Sequence, residues 1–254
     1  MIPTFKFHGS KCRIAKWIFA HEHIDKIFPI NDYYEPFAGR GNSFFYFTSY
    51  FKFNNAYLND LYMCHFLKAL RDYSGNYDFV PEYIDKQVFL SLQNHDNEQE
   101  RSLAESFCAY NGTFWINGAN ITSSPSKPSK NKHSKQHTIK RMIRAKELLQ
   151  GVSIDDKDYK QFLDITFHSD DLIYCDPPYI QSSKSKLKDI TISHKELANI
   201  LISLPCKVIV SDYDNPIYDK ILHSWNVYEF TRASCGRNSN STSNVVVEKK
   251  WCNF

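Results

Sequence analysis

The chain has 254 residues, 42% hydrophobic and 23% charged, with a formal net charge of +3, a balance that fits a soluble globular protein able to bury a substantial core. No apolar run approaches the roughly 20 residues that a bilayer-spanning helix needs, and Met1 to Lys16 alternates basic and apolar residues without an apolar signal core, so a cytoplasmic protein is expected. The seven cysteines are scattered singly with no Cys-x-x-Cys, which argues against a zinc cluster or disulfide framework and for reduced thiols acting as small hydrophobes; no metal site is expected.

Taken in chain order, Lys11 to Phe28 reads as an amphipathic helix, with Ile14, Trp17, Ile18, Ile24 and Ile27 near one face. Tyr33-Tyr34-Glu35 is a short strand that breaks into Pro36-Phe37-Ala38-Gly39-Arg40-Gly41, after which Asn42 or Ser43 caps a helix running to about Phe51. Ala56 to Asn59 is a second strand, ending in Asp60 before a helix from Leu61 to Arg71. Phe79 to Tyr110 looks mainly helical. Turn signals at Asn111-Gly112 and Asn117-Gly118 flank Phe114-Trp115-Ile116, and Thr122 to His137, rich in Ser, Pro, Lys and Asn, reads as an exposed loop.

Beyond it, Asp171 to Cys175 is an apolar strand stopped by two prolines, which cannot continue a central ladder. Ser193 caps a helix to about Leu204, Lys207 to Ser211 is a buried strand, and Pro216 to Ser224 is helical. Asn226 to Thr231 and Val245 to Trp251 close the chain as a strand pair around a polar loop. Strands alternating with helices at both ends imply an α/β fold with a largely parallel sheet. Residues 75–150 read as an insertion between two halves of that sheet, 1–74 and 151–254.

Charge is unevenly spread. Between Ile121 and Gln150, eight cations (Lys127, Lys130, Lys132, Lys135, Lys140, Arg141, Arg144 and Lys146) face the single acid Glu147, so this segment carries +7 and leaves the rest of the chain at −4. A local basic segment on a near-neutral body suits a polyanionic partner, and equally a solvated charged loop.

Two motifs carry chemistry. The glycine-rich turn at Glu35 to Gly41 follows a strand, the place where open α/β sheets bind ligands. Asp60 ends the next strand, where a carboxylate can accept from two ribose hydroxyls; it could also cap the following helix. There is no Gly-x-x-x-x-Gly-Lys-Ser/Thr phosphate loop. A nucleoside ligand without phosphates fits better, and S-adenosylmethionine is one; Phe37 and Tyr179 offer aromatic faces to its sulfonium. The second motif, Asp176-Pro177-Pro178-Tyr179, directly follows a buried strand. It displays a carboxylate, proline carbonyls and a ring. Hydrogen bonds from the two amino hydrogens of adenine N6, one to Asp176 and one to a proline carbonyl, would favour the pyramidal nitrogen formed on attack. Tyr179 would stack on the base, so that orientation supplies most of the acceleration.

These residues resemble the Dam-like family of DNA adenine-N6 methyltransferases, α group, phage type. Phe7-His8-Gly9-Ser10-Lys11 is similar to the family's N-terminal motif, whose lysine lies at the cofactor. Glu35 to Gly41 is similar to its Pro-Phe-x-Gly-x-Gly motif, Leu172 to Tyr179 to its strand and tetrapeptide, and Val208 to Tyr213 to its following strand. The resemblance implies a Rossmann-like methyltransferase sheet with an inserted, mainly helical target-recognition domain at 75–150. It implies S-adenosylmethionine as cofactor and double-stranded DNA as partner, with room for a cognate restriction endonuclease. Its implied cofactor contacts are Phe7, Lys11, Glu35, Pro36, Phe37, Gly39, Gly41, Ser43, Asp60, Asp158, Tyr159 and Asp176. Asp158-Tyr159 stands at the spacing of the family's adenine-binding acid, with Asp164 as a rival. Catalysis falls to Asp176, Pro177, Pro178 and Tyr179, acting on a base flipped out of the duplex.

For DNA contact the candidates are Asn111, Trp115, Asn117, Lys127, Lys130, Lys132, Lys135, Lys140, Arg141 and Arg237; Phe114 and Trp115 would equally suit a core. Residues 111–137 depart from the better-known GATC methylases, so the resemblance carries the chemistry and not the recognition sequence. His21, His23 and His194 show no ligand spacing and read as surface or helix residues. N4-cytosine, RNA adenine and glutamine-amide methylation remain as alternative chemistries, and a catalytically inactive DNA binder as an alternative class; Asp176 favours adenine.

Overall fold

The computed structural model describes residues 1–5, 10–108, 134–179, 192–233 and 245–254. In chain order the elements are α1 (Ala15–Ile18), α2 (His21–Ile24), a 3-10 turn (Asp25–Ile27), β1 (Asp32–Glu35), α3 (Asn42–Tyr50), β2 (Asn55–Asn59), α4 (Cys64–Asp72), α5 (Lys86–Gln93) and α6 (Glu98–Cys108). There follow α7 (Lys135–Leu148), β3 (Ser153–Asp155), α8 (Tyr159–Leu163), β4 (Leu172–Cys175), α9 (His194–Ser203), β5 (Lys207–Tyr213), α10 (Pro216–Ile221), β6 (Asn226–Ala233) and β7 (Val245–Cys252). They form two compact units: 1–15, 38–51 and 60–156 in the first, 16–37, 52–59 and 157–254 in the second. This division does not follow the limits of the 75–150 segment, because α4 packs with α6 and α7 in the first unit.

The second unit is a layered α/β body. Its strands run in the order β2-β1-β4-β5-β7-β6. β1 pairs in parallel with β2 and with β4, β4 pairs in parallel with β5, and β7 and β6 close the edge antiparallel. All four residues of β1 and of β4 are buried, as a strand covered on both faces requires. Asp171 fixes the entry to β4. Its Oδ1 accepts from Asn31 Nδ2 at 2.8 Å and from the Asp32 amide at 3.1 Å, and its Oδ2 from the His168 amide at 2.7 Å. The core gathers Ile173, Cys175, Leu197, Leu201, Val208, Val210, Tyr218 and Trp251. Ser193 caps α9 through the Glu196 amide.

The continuous helix anticipated over 11–28 is instead broken into α1, α2 and the 3-10 turn, with Ala20 at ψ 128° between them. The cause is tertiary. Buried Lys250 donates to the carbonyls of Trp17 and Ile18, each at 2.9 Å, which a continuing helix would need for its own ladder.

The first unit is helical. Phe5 meets Phe45 and Phe66 edge-on, at 5.9 and 5.2 Å between ring centres. Asn42 begins α3 and does not cap it: its side chain exchanges hydrogen bonds with the Phe5 backbone, and the cap position falls to Gly41. The helix expected from Leu61 starts at Cys64, since Leu61 and Tyr62 form a turn. The stretch read as loop to His137 yields at Ser134, which caps α7.

Candidate active site

In the second unit, β4 delivers Asp176-Pro177-Pro178-Tyr179 at its carboxyl end. Tyr174, Ser211 and Asp176 form a chain: Ser211 Oγ donates to Asp176 Oδ1 at 3.1 Å and lies 2.9 Å from the Tyr174 hydroxyl. Tyr179 is held at both ends. Its hydroxyl donates to Glu248 Oε2 at 3.1 Å, and its ring meets Tyr213 edge-on at 4.5 Å. Buried Glu248 is fixed in turn by Arg232, which donates from Nε at 3.2 Å and from Nη2 at 2.8 Å. Burial, then the charges of Asp176 and Glu248, push the Tyr179 phenol well above its ordinary range, so it stays a neutral donor.

His194, read as a surface or helix residue, is the first residue of α9 and is buried. Its Nε2 lies 3.1 Å from the Pro178 carbonyl and its Nδ1 2.8 Å from the Tyr218 hydroxyl. His23, on α2, is half-buried, with Nδ1 3.0 Å from Lys250 Nζ. His21 is exposed.

Glu35 ends β1 with 1% of its surface exposed and accepts from the Tyr33 hydroxyl at 2.5 Å. Burial, reinforced by the negative charge of Asp176, raises its carboxyl well above the usual range, against the Tyr33 bond that lowers it. Pro36 is buried, and its carbonyl accepts from Asn59 Nδ2. Half-buried Phe37 lies 5.5 Å from Tyr159, whose buried hydroxyl has no partner among the described residues. Asp158 is exposed and caps α8 through the Lys160 amide, and Asp164 is exposed at the helix's other end.

In the first unit, Gly39 and Gly41 have φ of 53° and 73°. A Cβ on Gly41 would stand 3.1 Å from Leu67 and 3.2 Å from Phe45, so the turn requires glycine on conformation and on space. Asp60 takes the local capping role at the entry to α4 and also binds the glycine turn. Oδ1 accepts the amides of Tyr62 and Met63, and Oδ2 accepts that of Gly39 at 2.8 Å. Burial raises its carboxyl, and those three amides oppose the rise. Lys11 and Ser43 are buried. Arg40, between the glycines, is buried with its Nη2 3.4 Å from Glu105 Oε2 on α6.

Of the DNA-contact candidates, Lys140 is exposed and Lys135 half-buried on α7. Arg141 turns inward, donating to the Thr4 carbonyl at 2.9 Å and to Thr138 Oγ1 at 3.1 Å. Asn111, Trp115, Asn117, Lys127, Lys130, Lys132 and Arg237 lie outside the described residues, as does Phe7.

Sequence reasoning missed His194, Glu248 and the pairing of Arg232. An acid directly after the apolar run Val245-Val246-Val247 was a signal for Glu248. Nothing local marked His194.

A parallel α/β sheet that ends one central strand in a glycine turn and the next in an Asp-Pro-Pro-Tyr turn is that of a Rossmann-like methyltransferase. The D12 class N6 adenine-specific DNA methyltransferase family model matches residues 7–234, and the chain belongs to that family. It is therefore an enzyme that methylates adenine in DNA, and S-adenosylmethionine is the methyl donor its class implies. Among solved structures it is similar to yhhF of Escherichia coli, described as a methyltransferase, at 11% identity over 95% of this chain and 85% of that one, TM-score 0.40. It is also similar to a conserved hypothetical protein of Streptococcus pyogenes, at 10% identity, 92% and 94% coverage and TM-score 0.37. A precorrin-6y C5,15-methyltransferase from Geobacter metallireducens follows at 7% identity, 94% and 87% coverage and TM-score 0.38. No curated protein matches the chain. Among the described residues no helix is long and apolar enough to cross a membrane, and no cluster of His, Cys, Asp or Glu could hold a metal.

Proposed function

We propose that this chain methylates N6 of a specific adenine in double-stranded DNA, with the base flipped out of the stack onto the Asp176-Pro177-Pro178-Tyr179 turn. What carries the reading is that one turn presents a carboxylate steadied by Ser211 beside an aromatic ring anchored at its hydroxyl by Glu248 and at its edge by Tyr213. A base laid on that ring has its angle set before reaction, which is the main requirement of an in-line displacement.

The residues present fit S-adenosylmethionine. The Gly39–Gly41 turn needs glycine, Asp60 stands beside it, and the half-buried Phe37 neighbours a Tyr159 hydroxyl without a partner among the described residues. When bound, the group supplies an electrophilic methyl carbon on a sulfonium. Asp60 would accept from ribose hydroxyls, the Gly39–Gly41 turn would allow close backbone approach, Phe37 and Tyr159 would give aromatic contact, and Asp158 would serve the adenine amino group. Lys11 and Ser43 are proposed at the same ligand on the motif alone. Asp176 would accept one N6 hydrogen. The other falls to the Pro177 carbonyl, because the Pro178 carbonyl already faces His194.

Residues 75–150 would recognise the target sequence, with Lys127, Lys130, Lys132, Lys135 and Lys140 on phosphates; Asn111, Trp115, Asn117 and Arg237 are proposed as further contacts. The test supplies labelled cofactor and duplex DNA and digests the product to nucleosides. We expect N6-methyladenine from the wild type. For Asp176→Ala we expect at least about a thousandfold loss of transfer with cofactor binding within about threefold of wild type. N4-methylcytosine as product, or wild-type turnover by Asp176→Ala, would overturn the reading.

A further inference from the structure

We propose that His194 is a positioning residue for methyl transfer: it holds the second proline carbonyl of the catalytic turn and so sets the peptide plane that aims Tyr179. This rests on the adenine reading, in which the turn receives the target base.

The need for an outside donor follows from the sequence. Pro177 and Pro178 have no N–H, so neither can give the turn the short-range amide bonds that steady ordinary turns. His194, the first residue of α9, is buried and faces the turn with Nε2 3.1 Å from the Pro178 oxygen. A carbonyl oxygen only accepts, so Nε2 must carry the proton. In the neutral ring Nδ1 is then the acceptor, and the Tyr218 hydroxyl, 2.8 Å away, donates to it. Tyr218 suits this role because it is fully buried, and burial with the nearby Cys175, Asp212 and Asp176 raises its phenol, so it keeps its proton. Asp212 Oδ2 is 3.7 Å from Nδ1 and already accepts from Asn215 Nδ2 at 2.8 Å. Burial also lowers the His194 pKa, although the Pro178 bond opposes this, so the neutral ring is the working form.

The relay Tyr218 → His194 → Pro178 therefore fixes both the tautomer and the direction of one carbonyl. That carbonyl belongs to the peptide unit joining Pro178 to Tyr179. Rotating it would move the Tyr179 ring against its Glu248 and Tyr213 anchors. The effect should appear in the chemical step and not in cofactor affinity, because misplacement of an orienting group costs rate.

The experiment compares wild type, His194→Phe and His194→Gln in single-turnover transfer at saturating DNA and cofactor. Product nucleosides, cofactor affinity and thermal unfolding are measured alongside. Phe keeps a ring and removes both nitrogens; Gln restores an N–H near Nε2. We expect His194→Phe to lose about tenfold or more in the transfer rate with cofactor affinity within about threefold, and His194→Gln to recover to within about fivefold of wild type. A His194→Phe rate equal to wild type, or a His194→Gln rate no better than His194→Phe, would sink the inference while leaving the adenine reading intact. A wild-type product other than N6-methyladenine would sink that reading, whatever the His194 variants do. Should the variants fail to fold, imidazole nitrogen NMR shifts of the wild type decide: the inference requires the Nε2–H tautomer, and Nδ1–H overturns it.

Discussion

At the scale of single residues, the Asp176–Tyr179 turn lies among groups whose charge is suppressed by burial. Glu35 lies at the end of β1, buried, within reach of the field of Asp176, and its carboxyl is raised well above the usual range. The sign of the consequence is definite. A carboxyl whose folded pKa exceeds its unfolded value stabilises the fold fully below the ordinary glutamate range, and that contribution is lost as pH rises toward the folded pKa. Glu35→Gln keeps an oxygen for the Tyr33 hydroxyl and cannot ionise. The variant should therefore gain stability relative to wild type as pH is raised from the glutamate range through neutrality, read as the difference between their Tm values at each pH. Parallel curves, or a wild type that gains with pH, would mean that Glu35 is charged in the native protein. The sequence marked Glu35 as part of a motif. It could not show the raised carboxyl, because burial and the charge of Asp176 reach Glu35 through the pairing of β1 with β4.

At the scale of elements, β4 and the centre of β5 were readable as apolar runs, β1 as a short aromatic pair broken by Pro36, and α9 because Ser193 announces its start. What local pattern could not carry was contact over distance. The break of the first helix is made by Lys250, 233 residues beyond Trp17. His194 becomes part of the site through Pro178 and Tyr218 on other elements. In the first unit the equivalent distant contact is Arg40 with Glu105, which ties the glycine turn to α6 with both side chains essentially buried. The Arg40 guanidinium also lies over the Phe66 ring at 5.3 Å. Burial lowers the guanidinium pKa to about 10, with Glu105 opposing, so Arg40 stays charged at neutral pH. Removing one partner takes this ion pair from the other's buried charge, which costs about 3–5 kcal/mol, whereas replacing both with apolar groups of similar volume is often near neutral. Glu105→Ala should lower unfolding stability by that amount and weaken cofactor binding through the Gly39–Gly41 turn. Arg40→Met with Glu105→Leu should recover most of the stability. If the single variant unfolds like wild type, α6 is not fastened to the turn by this pair.

At the scale of the molecule, the family was legible from the glycine turn and the tetrapeptide, and the D12 family model matches residues 7–234. The recognised DNA sequence was not, since no charge count encodes base contacts. The charge itself makes a different prediction. The segment from Ile121 to Gln150 holds +7 in a chain of net +3, and each phosphate neutralised by a lysine releases counterions, giving a slope near −0.9 in log affinity against log salt. Within α7, Arg141 is bonded inward, Arg144 pairs with Glu147, and Lys146 bonds the Tyr73 carbonyl, which leaves half-buried Lys135 and exposed Lys140, of which Lys140 is better disposed to meet phosphate. Replacing Lys127, Lys130, Lys132 and Lys140 together with Gln should therefore reduce the slope by about 3 to 4 and weaken duplex binding by at least about tenfold near physiological salt. Arg141→Gln should change the slope little and instead cost stability, because its donors serve Thr4 and Thr138. Titrations of a fluorescent duplex at several salt concentrations separate the two outcomes. An unchanged slope in the fourfold variant would remove those four lysines from the DNA surface. A preserved single-turnover rate at saturating DNA would show that they bind the duplex without taking part in the chemistry at Asp176.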